Sequence, residues 1–195
     1  MNSNKPIDKL LYIIERLRDP ETGCPWDVKQ TYETIAPYTI EEAYEVVDAI
    51  EKKDHQHLGE EVGDLLLQVM LYAQIGKEAS HFDFDEIVQM LNQKLLRRHP
   101  HVFPDGSAES RIKPGTVVTE EQVAENWNKV KAQEKLSEKA KTNEKDSDVP
   151  SHILDDVPTA MAPMLRALKL QKKAAQFGFD WSDLKPVLAK VNEEV

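Results

Sequence analysis

Apolar residues recur at three- and four-residue steps along most of this chain, and this spacing restricts the fold more than any other feature. It is the repeat that places side chains on one face of an α-helix. Clear alternation of apolar and polar residues is absent, and the chain has only 7 glycines among 195 residues. The helical stretches begin at Ile7, Ile40, Leu58, Phe84, Val123 and Met161. The sequence therefore predicts an all-α fold.

Prolines and polar clusters predict where several of these helices start and stop. The second stretch follows Pro37, so we expect that helix to begin after the proline. Thr119 and Gln122 have the spacing of a capping box, which predicts the start of the fifth helix. Residues 99–118 contain three prolines and two glycines, a composition typical of a long loop.

The composition changes after residue 134. Residues 135–152 carry many charges and no aromatic side chain, so they cannot bury enough apolar surface to offset the entropy of ordering. We interpret this segment as a charged linker between a domain at 1–134 and a shorter segment at 153–195.

The shorter segment contains a partial repeat of the first domain. A Gly-x-x-Trp sequence followed by Glu-Glu occurs at residues 23–26 and 41–42, and again at residues 178–181 and 193–194. The alternative to a repeat is chance, because the pattern is short. If the repeat is real, 153–195 is an incomplete second copy, and we expect Glu193 and Glu194 to be catalytically idle.

Net charge and cysteine content exclude several classes of protein. Lys and Arg number 25 against 35 Asp and Glu, a net charge of -10 that disfavours broad nucleic-acid binding. A single cysteine, Cys24, excludes an intramolecular disulfide framework and a Cys-rich zinc site. The sequence has no apolar signal core and no stretch that could span a bilayer. We therefore expect a cytoplasmic protein that binds neither membrane nor nucleic acid.

Two neighbouring helices carry the same acidic pattern, Glu-Glu-x-x-Glu at 41–45 and Glu-Glu-x-x-Asp at 60–64. With 3.6 residues per turn, each pattern places its carboxylates in one sector of its helix. The short connection makes the helices antiparallel neighbours, so facing sectors bring together Glu42, Glu45, Glu61 and Asp64. The alternative is that each sector is only the solvated face of an amphipathic helix.

A divalent cation would relieve the repulsion within this acidic group. Like charges one turn apart destabilise a helix, and no Lys or Arg lies three or four residues from Glu42, Glu45 or Glu61. Carboxylates without Cys or His among them suit Mg²⁺, with Mn²⁺ as an alternative. Because such Mg²⁺ sites recruit substrate phosphates, the pattern indicates phosphoryl or nucleotidyl chemistry with a metal-activated water.

A basic group could bind the phosphates. Lys94, Arg97 and Arg98 lie on one side of the fourth helix, and guanidinium groups bind oxyanions through two hydrogen bonds. The alternative is that these residues only compensate the helix dipole, because they occupy the last turn before Pro100.

Four segments of the chain resemble the MazG family of nucleoside triphosphate pyrophosphohydrolases. They are Gly-Cys-Pro-Trp-Asp at 23–27, residues 35–46 around the first acidic pattern, residues 59–66 around the second, and Arg-Arg-His-Pro-His-Val-Phe at 97–103. The resemblance implies a helical fold that dimerises into four-helix-bundle cores. It also implies Mg²⁺-dependent hydrolysis of nucleoside triphosphates to nucleoside monophosphate and pyrophosphate.

The resemblance also assigns roles to individual positions. Glu42, Glu45, Glu61 and Asp64 match the metal ligands of the family, and Lys94 to Arg98 match its phosphate-contacting segment. Glu125 and Trp127 match positions near the nucleotide, although Trp127 also lies on an apolar stripe and could be a core residue.

The sequence therefore predicts a homodimeric, Mg²⁺-dependent enzyme in which Glu41 holds or deprotonates the attacking water. The dimer is expected because the apolar stripes of helices 40–50 and 58–73 are larger than one copy easily covers. Two alternatives stay open: a nucleotide-binding, dimerising regulator without turnover, and a related enzyme specific for dUTP or phosphoribosyl-ATP. No residue pattern in the sequence indicates a base preference. Trp26 has two interpretations, a base-stacking residue or a core anchor.

Overall fold

The computed structural model of the chain describes residues 5–141, 154–155, 157–181 and 183–194. Throughout these ranges the regular structure is helical and no strand occurs, which confirms the all-α prediction. The chain divides into two compact units, Met1–Lys135 and Leu136–Val195. Of the proposed linker at 135–152, residues 142–152 lie outside the described residues, whereas 135–141 are helical.

The first unit is built from four complete helices and most of a fifth. They are α1 (Pro6–Leu17), α2 (Tyr32–Lys52), α3 (His55–Glu78), α4 (Phe84–Arg98) and α5 (Glu120–Lys141), with a 3₁₀ turn (Asp27–Lys29) before α2. The second unit contains α6 (Pro163–Ala175) and α7 (Leu184–Glu194). None of the helices in the described ranges is at once long and apolar enough to cross a lipid bilayer.

The most extensive helix contact in the first unit is between α2 and α3. Two residues connect them: Lys53 takes the left-handed conformation with φ 56°, and the Asp54 side chain accepts a hydrogen bond from the His57 backbone N–H at 3.1 Å. A connection this short turns the chain back on itself, so α2 and α3 are antiparallel neighbours. This pairing places the two acidic patterns on adjacent helices.

The prediction that α2 begins after Pro37 is wrong. The helix begins at Tyr32, where the Thr31 and Thr34 hydroxyl groups each accept a hydrogen bond from the other residue's backbone N–H, at 3.4 and 2.8 Å. Pro37 lies in the second turn and lacks the N–H that would bond to the Glu33 carbonyl. The helix continues past the proline with this bond missing, because the capping box has already started it.

The other predicted boundaries are confirmed. The Thr119 N–H donates to the Gln122 side chain at 3.0 Å, and the Gln122 N–H donates to the Thr119 hydroxyl at 3.3 Å, immediately before α5. Residues 99–118 form turns and irregular backbone without a helix. This loop carries the chain from the end of α4 to the start of α5.

The core of the first unit lies where α1, the first turn of α2 and the second half of α3 meet. Its buried side chains are Ile14, Ile35, Met70, Leu71 and Ile75. Phe82 packs against α3 at Gly76, where a Cβ atom would lie 2.6 Å from the Phe82 ring. Glycine at this position therefore allows the chain to turn closely from α3 into α4.

The long apolar stripes of α2 and α3 lie largely outside this core. On α2, Ile40, Tyr44, Val47 and Ile50 are each about half exposed, and on α3 Val62, Leu66 and Val69 are also exposed. The buried residues of the α2–α3 region include Ala49, Glu61 and Gln68 instead. One copy of the chain therefore leaves a broad apolar surface, formed by these seven exposed residues, open to solvent.

Candidate metal and phosphate site

Three carboxylates of the acidic patterns meet between α2 and α3. One carboxylate oxygen from each of Glu42, Glu45 and Glu61 lies within 4.8 Å of the other two. We call these three residues the carboxylate trio. Glu61 is 7% exposed, Glu42 is half-buried, and Glu45 is exposed. The fourth predicted ligand, Asp64, is exposed and lies outside the trio, although its charge acts on Glu42 and Glu61.

Burial and mutual repulsion disfavour the charged form of the carboxylates in the trio. Burial raises the pKa of Glu42, and the negative charges of Asp64 and Glu45 raise it further. Burial also raises the pKa of Glu61; His57 partly offsets this, while Glu45 and Asp64 add to it. A bound divalent cation would remove this penalty. The donors are all carboxylate oxygens, so the trio fits Mg²⁺ or Mn²⁺.

Two residues that support the trio were missed by sequence reasoning. The Gln68 Nε2 atom donates to the Glu42 Oε1 atom at 3.4 Å, and the His57 Nε2 atom lies 3.1 Å from the Glu61 Oε1 atom. Both have a signal in the sequence. Gln68 interrupts an otherwise apolar run at 65–73, and His57 precedes Glu61 by four residues, which places both on one face of α3.

Glu41 lies outside the trio, on a groove along α2. The groove has a volume of about 470 Å³ and is lined by Pro37, Ile40, Glu41, Tyr44, Glu45 and Asp48. Glu45 belongs both to the groove and to the trio, so the groove opens beside the candidate metal site. Glu41 is exposed and has access to solvent in the groove.

The two predicted phosphate-binding arginines share one carboxylate partner on α5. The Arg97 Nε atom donates to the Glu134 Oε1 atom at 2.7 Å, and the Arg98 Nη2 atom donates to the Glu134 Oε2 atom at 2.6 Å. The Glu134 side chain is 14% exposed. These guanidinium groups therefore already hold an anion, one that sequence reasoning did not identify. Lys94 is exposed and forms no ion pair with any residue in the described part of the chain.

Trp127 lies against the same arginine pair. The Arg98 guanidinium carbon is 5.0 Å from the centre of the Trp127 ring, and the His99 ring is 5.8 Å from it. Trp127 is half-buried. Glu125 lies apart from this cluster: it is exposed, pairs with Lys129 at 3.7 Å, and lines a depression of about 410 Å³ beside His101.

The structure thus groups the predicted site residues into two sets. The trio lies on α2 and α3, whereas Arg97, Arg98 and Trp127 lie on α4 and α5. Within the described ranges, no hydrogen bond or ion pair joins the two sets. In the second unit, the Lys190 Nζ atom lies 3.0 Å from Glu193 Oε1, and the Glu194 side chain is outside the described residues.

Comparison with known proteins identifies the family. Residues 30–103 match the MazG nucleotide pyrophosphohydrolase domain. This range contains the trio, Asp64 and the basic residues of α4. This segment of the chain is a MazG-family domain. The match ends before Glu125, Trp127 and Glu134.

Relatives of this chain extend the similarity beyond the MazG-family domain, over almost all of its residues. A nucleoside triphosphate pyrophosphohydrolase of Escherichia coli (strain K12) is 47% identical over 189 residues, 97% of this chain and 65% of the relative. The nucleoside triphosphate pyrophosphohydrolase/pyrophosphatase MazG of Thermotoga maritima is 39% identical over 188 residues, 96% of this chain and 64% of the relative. The chain thus spans slightly less than two thirds of the length of these relatives.

A solved structure is similar to part of the chain. The crystal structure of a mazG-related protein from Thermotoga maritima matches with a TM-score of 0.51 and 29% sequence identity. The match covers 64% of this chain and 98% of that protein. This likeness agrees with an all-α MazG fold for the corresponding part of the chain.

Proposed function

We propose that this chain hydrolyses nucleoside triphosphates to nucleoside monophosphate and pyrophosphate with a bound Mg²⁺. The observation that carries the proposal is the carboxylate trio, whose oxygens lie within 4.8 Å of one another between two antiparallel helices. Relatives over nearly the whole chain are named nucleoside triphosphate pyrophosphohydrolases. The alternative that keeps the fold and changes the substrate is a related pyrophosphohydrolase specific for dUTP or phosphoribosyl-ATP.

Glu42, Glu45 and Glu61 would bind the cation, with Asp64 as a fourth ligand. Gln68 would hold the Glu42 carboxylate in place through its hydrogen bond, and His57 would hold the Glu61 carboxylate through the ion-pair contact at 3.1 Å. A bound Mg²⁺ or Mn²⁺ supplies Lewis-acid polarisation of the phosphate oxygens and of an attacking water. The raised pKa values of Glu42 and Glu61 support a cation-binding role, because a bound cation would stabilise the charged form of both carboxylates.

Glu41 is the proposed general base. Its carboxylate faces the groove next to Glu45, where it is open to solvent and can accept a hydrogen bond from a water. The water oxygen would form a bond to the α-phosphorus, while its proton passes to Glu41. The bond between the α-phosphorus and the bridging oxygen would break, and pyrophosphate would leave with that oxygen.

Lys94, Arg97 and Arg98 would offset the negative charge that develops on the phosphates. Glu134 now accepts the hydrogen bonds of both arginines, so a phosphate that uses them must displace this carboxylate. Trp127 supports the Arg98 guanidinium from one side, at 5.0 Å. Glu125 is retained as a substrate-binding candidate from the family resemblance alone.

The active form is proposed to be a homodimer. The exposed apolar surface of α2 and α3 would cost free energy in water at about 25 cal/mol per Å². A second copy placed against this surface would pair two α2–α3 hairpins into a four-helix core. The cytoplasmic location expected from the sequence stays a prediction.

The test is release of nucleoside monophosphate and pyrophosphate from a panel that includes the common NTPs and dNTPs, ITP, dUTP and phosphoribosyl-ATP. We expect turnover with Mg²⁺ or Mn²⁺ and none in excess EDTA. Asp64→Asn should lower turnover strongly, whereas Asp85→Asn should not, because Asp85 is exposed in the first turn of α4, on a different helix from the trio and the groove. Full turnover in EDTA would exclude the metal proposal. Nucleotide binding without any turnover would favour the regulatory alternative.

A further inference from the structure

An exposed aromatic pair lies next to the acidic face of α2. The ring centres of Trp26 and Tyr38 are 5.8 Å apart with their planes at 68°, an edge-to-face contact. Trp26 is 50% exposed and Tyr38 is 40% exposed. Trp26 is therefore not the core anchor that was one alternative from the sequence. Both rings keep a large exposed surface in the folded first unit.

The backbone around Trp26 is held firmly although its ring is exposed. The Arg18 side chain is 6% exposed, and its Nη1 atom donates to the carbonyl oxygens of Asp27 at 2.6 Å and Gln30 at 3.1 Å. Its Nη2 atom donates to Glu78 at 2.6 Å, and the Gln30 side chain donates to the Trp26 carbonyl at 2.8 Å. The backbone that carries the ring therefore loses little freedom when a ligand binds, so the ring is attached to a pre-organised segment.

The spacing along α2 relates the aromatic pair to the carboxylate trio. Tyr38 precedes Glu42 by four residues and Glu45 by seven, so the three side chains lie on one face of the helix, one and two turns apart. Four residues correspond to about 6 Å along the helix axis. The aromatic surface therefore begins one turn away from the candidate metal ligands.

We propose that Trp26 and Tyr38 form the subsite for the base of the nucleotide. This inference rests on the proposed function, because it assumes that the phosphates lie at the trio. The sugar would then span the single helical turn between the trio and the aromatic pair. Stacking on aromatic side chains accepts every base, since each base has a π face. The subsite would therefore bind purine and pyrimidine nucleotides, and it would contribute to affinity more than to base selection.

The experiment compares two ligands that share phosphates and differ in the base. Calorimetry on the full chain with Mg²⁺ would measure binding of an α,β-methylene ATP analogue and of inorganic tripolyphosphate. Trp26→Ala should weaken binding of the ATP analogue about 5- to 150-fold, the range that loss of one stacked base gives. It should leave tripolyphosphate binding unchanged, which also shows that the variant is folded. Trp26→Phe should keep most of the affinity for the analogue.

The matched control is Trp181→Ala. Trp181 is 51% exposed, almost the same as Trp26, and belongs to the second unit. This variant should bind both ligands as the unaltered chain does. An unchanged affinity of Trp26→Ala for the ATP analogue would overturn the subsite, and so would an equal loss of both ligands. If the unaltered chain binds the analogue no better than tripolyphosphate, the subsite is wrong and the proposed function stands. If it binds neither, the proposed function itself fails.

Discussion

Replacing Glu134 by Gln should increase the affinity of the chain for pyrophosphate. Glu134 accepts hydrogen bonds from Arg97 and Arg98, so it occupies the donors that an incoming phosphate needs. The amide of Gln has no negative charge and can accept only with its single oxygen. The substitution therefore removes an internal competitor and leaves the two arginines in place.

The size of the effect follows from how exposed the two pairs are. The Arg97 side chain is 51% exposed, so its pair contributes at most about 1 kcal/mol. The Arg98 side chain is 20% exposed and donates with both Nε and Nη2, so its charge-assisted hydrogen bonds contribute about 1.5–3 kcal/mol. Because the Gln amide keeps part of this, we expect a net gain of about 1–3 kcal/mol, or about 5- to 150-fold in affinity.

The assay is calorimetry of inorganic pyrophosphate binding to the full chain at fixed Mg²⁺ and low ionic strength. The control is Glu121→Gln, which removes the same charge from an exposed position in the first turn of α5. Equal affinities in the two variants would show that Glu134 does not compete with phosphate. Weaker pyrophosphate binding by Glu134→Gln would also refute the prediction, because it would mean that Glu134 positions the arginines for the ligand.

Three further predictions concern stability and assembly. Arg18→Leu should lower the free energy of unfolding by about 2–4 kcal/mol in urea titrations followed by circular dichroism, whereas exposed Arg16→Leu should change it by less than about 0.5. Burial raises the pKa of Glu78, but hydrogen bonds from Arg18 and its other neighbours lower it more. The stability that this lowered pKa provides is present above the ordinary Glu range and is lost as the pH falls. The difference in unfolding free energy between Arg18→Leu and the unaltered chain should therefore shrink in acid. The pKa of Glu42 is raised in the folded chain, so its contribution to stability is lost as the pH rises above the ordinary Glu range. Thermal melts in EDTA should therefore show a melting temperature that falls with rising pH. Glu42→Gln should reduce this dependence on pH. Light scattering of the unaltered chain should give a mass about twice the chain mass of 22.3 kDa. Ile50→Asp, in the exposed apolar surface, should reduce the measured mass toward that of one chain. A mass of one chain for the unaltered protein would contradict the dimer.

Much of the fold and part of the candidate site could be read from the sequence. Helical periodicity indicated the all-α fold, and the acidic patterns at 41–45 and 60–64 indicated which residues could meet. Three of the four predicted ligands do lie together in the structure. These predictions succeed because they depend on local spacing within a helix and on one short connection, and both are set by residues near each other in the chain.

Long-range contacts explain what the sequence left undetermined. Glu134 lies 36 residues beyond Arg98, across the loop at 99–118, and no local pattern links them. Arg18 reaches Glu78 over 60 residues, and the same guanidinium group donates to the backbone carbonyls beside Trp26. The exposure of Trp26 likewise depends on which side chains from distant helices come to pack near it.

The sequence by itself determined the helices, the facing carboxylates and the similarity to a family whose motifs are local. Only the tertiary structure decided that Asp64 lies outside the trio, that both arginines are ion-paired, and that the apolar stripe of α2 is open to solvent. The physical reason is that helix formation follows from hydrogen bonds four residues apart. Burial and ion pairing depend on how separate helices pack, which requires the positions of residues distant in the chain.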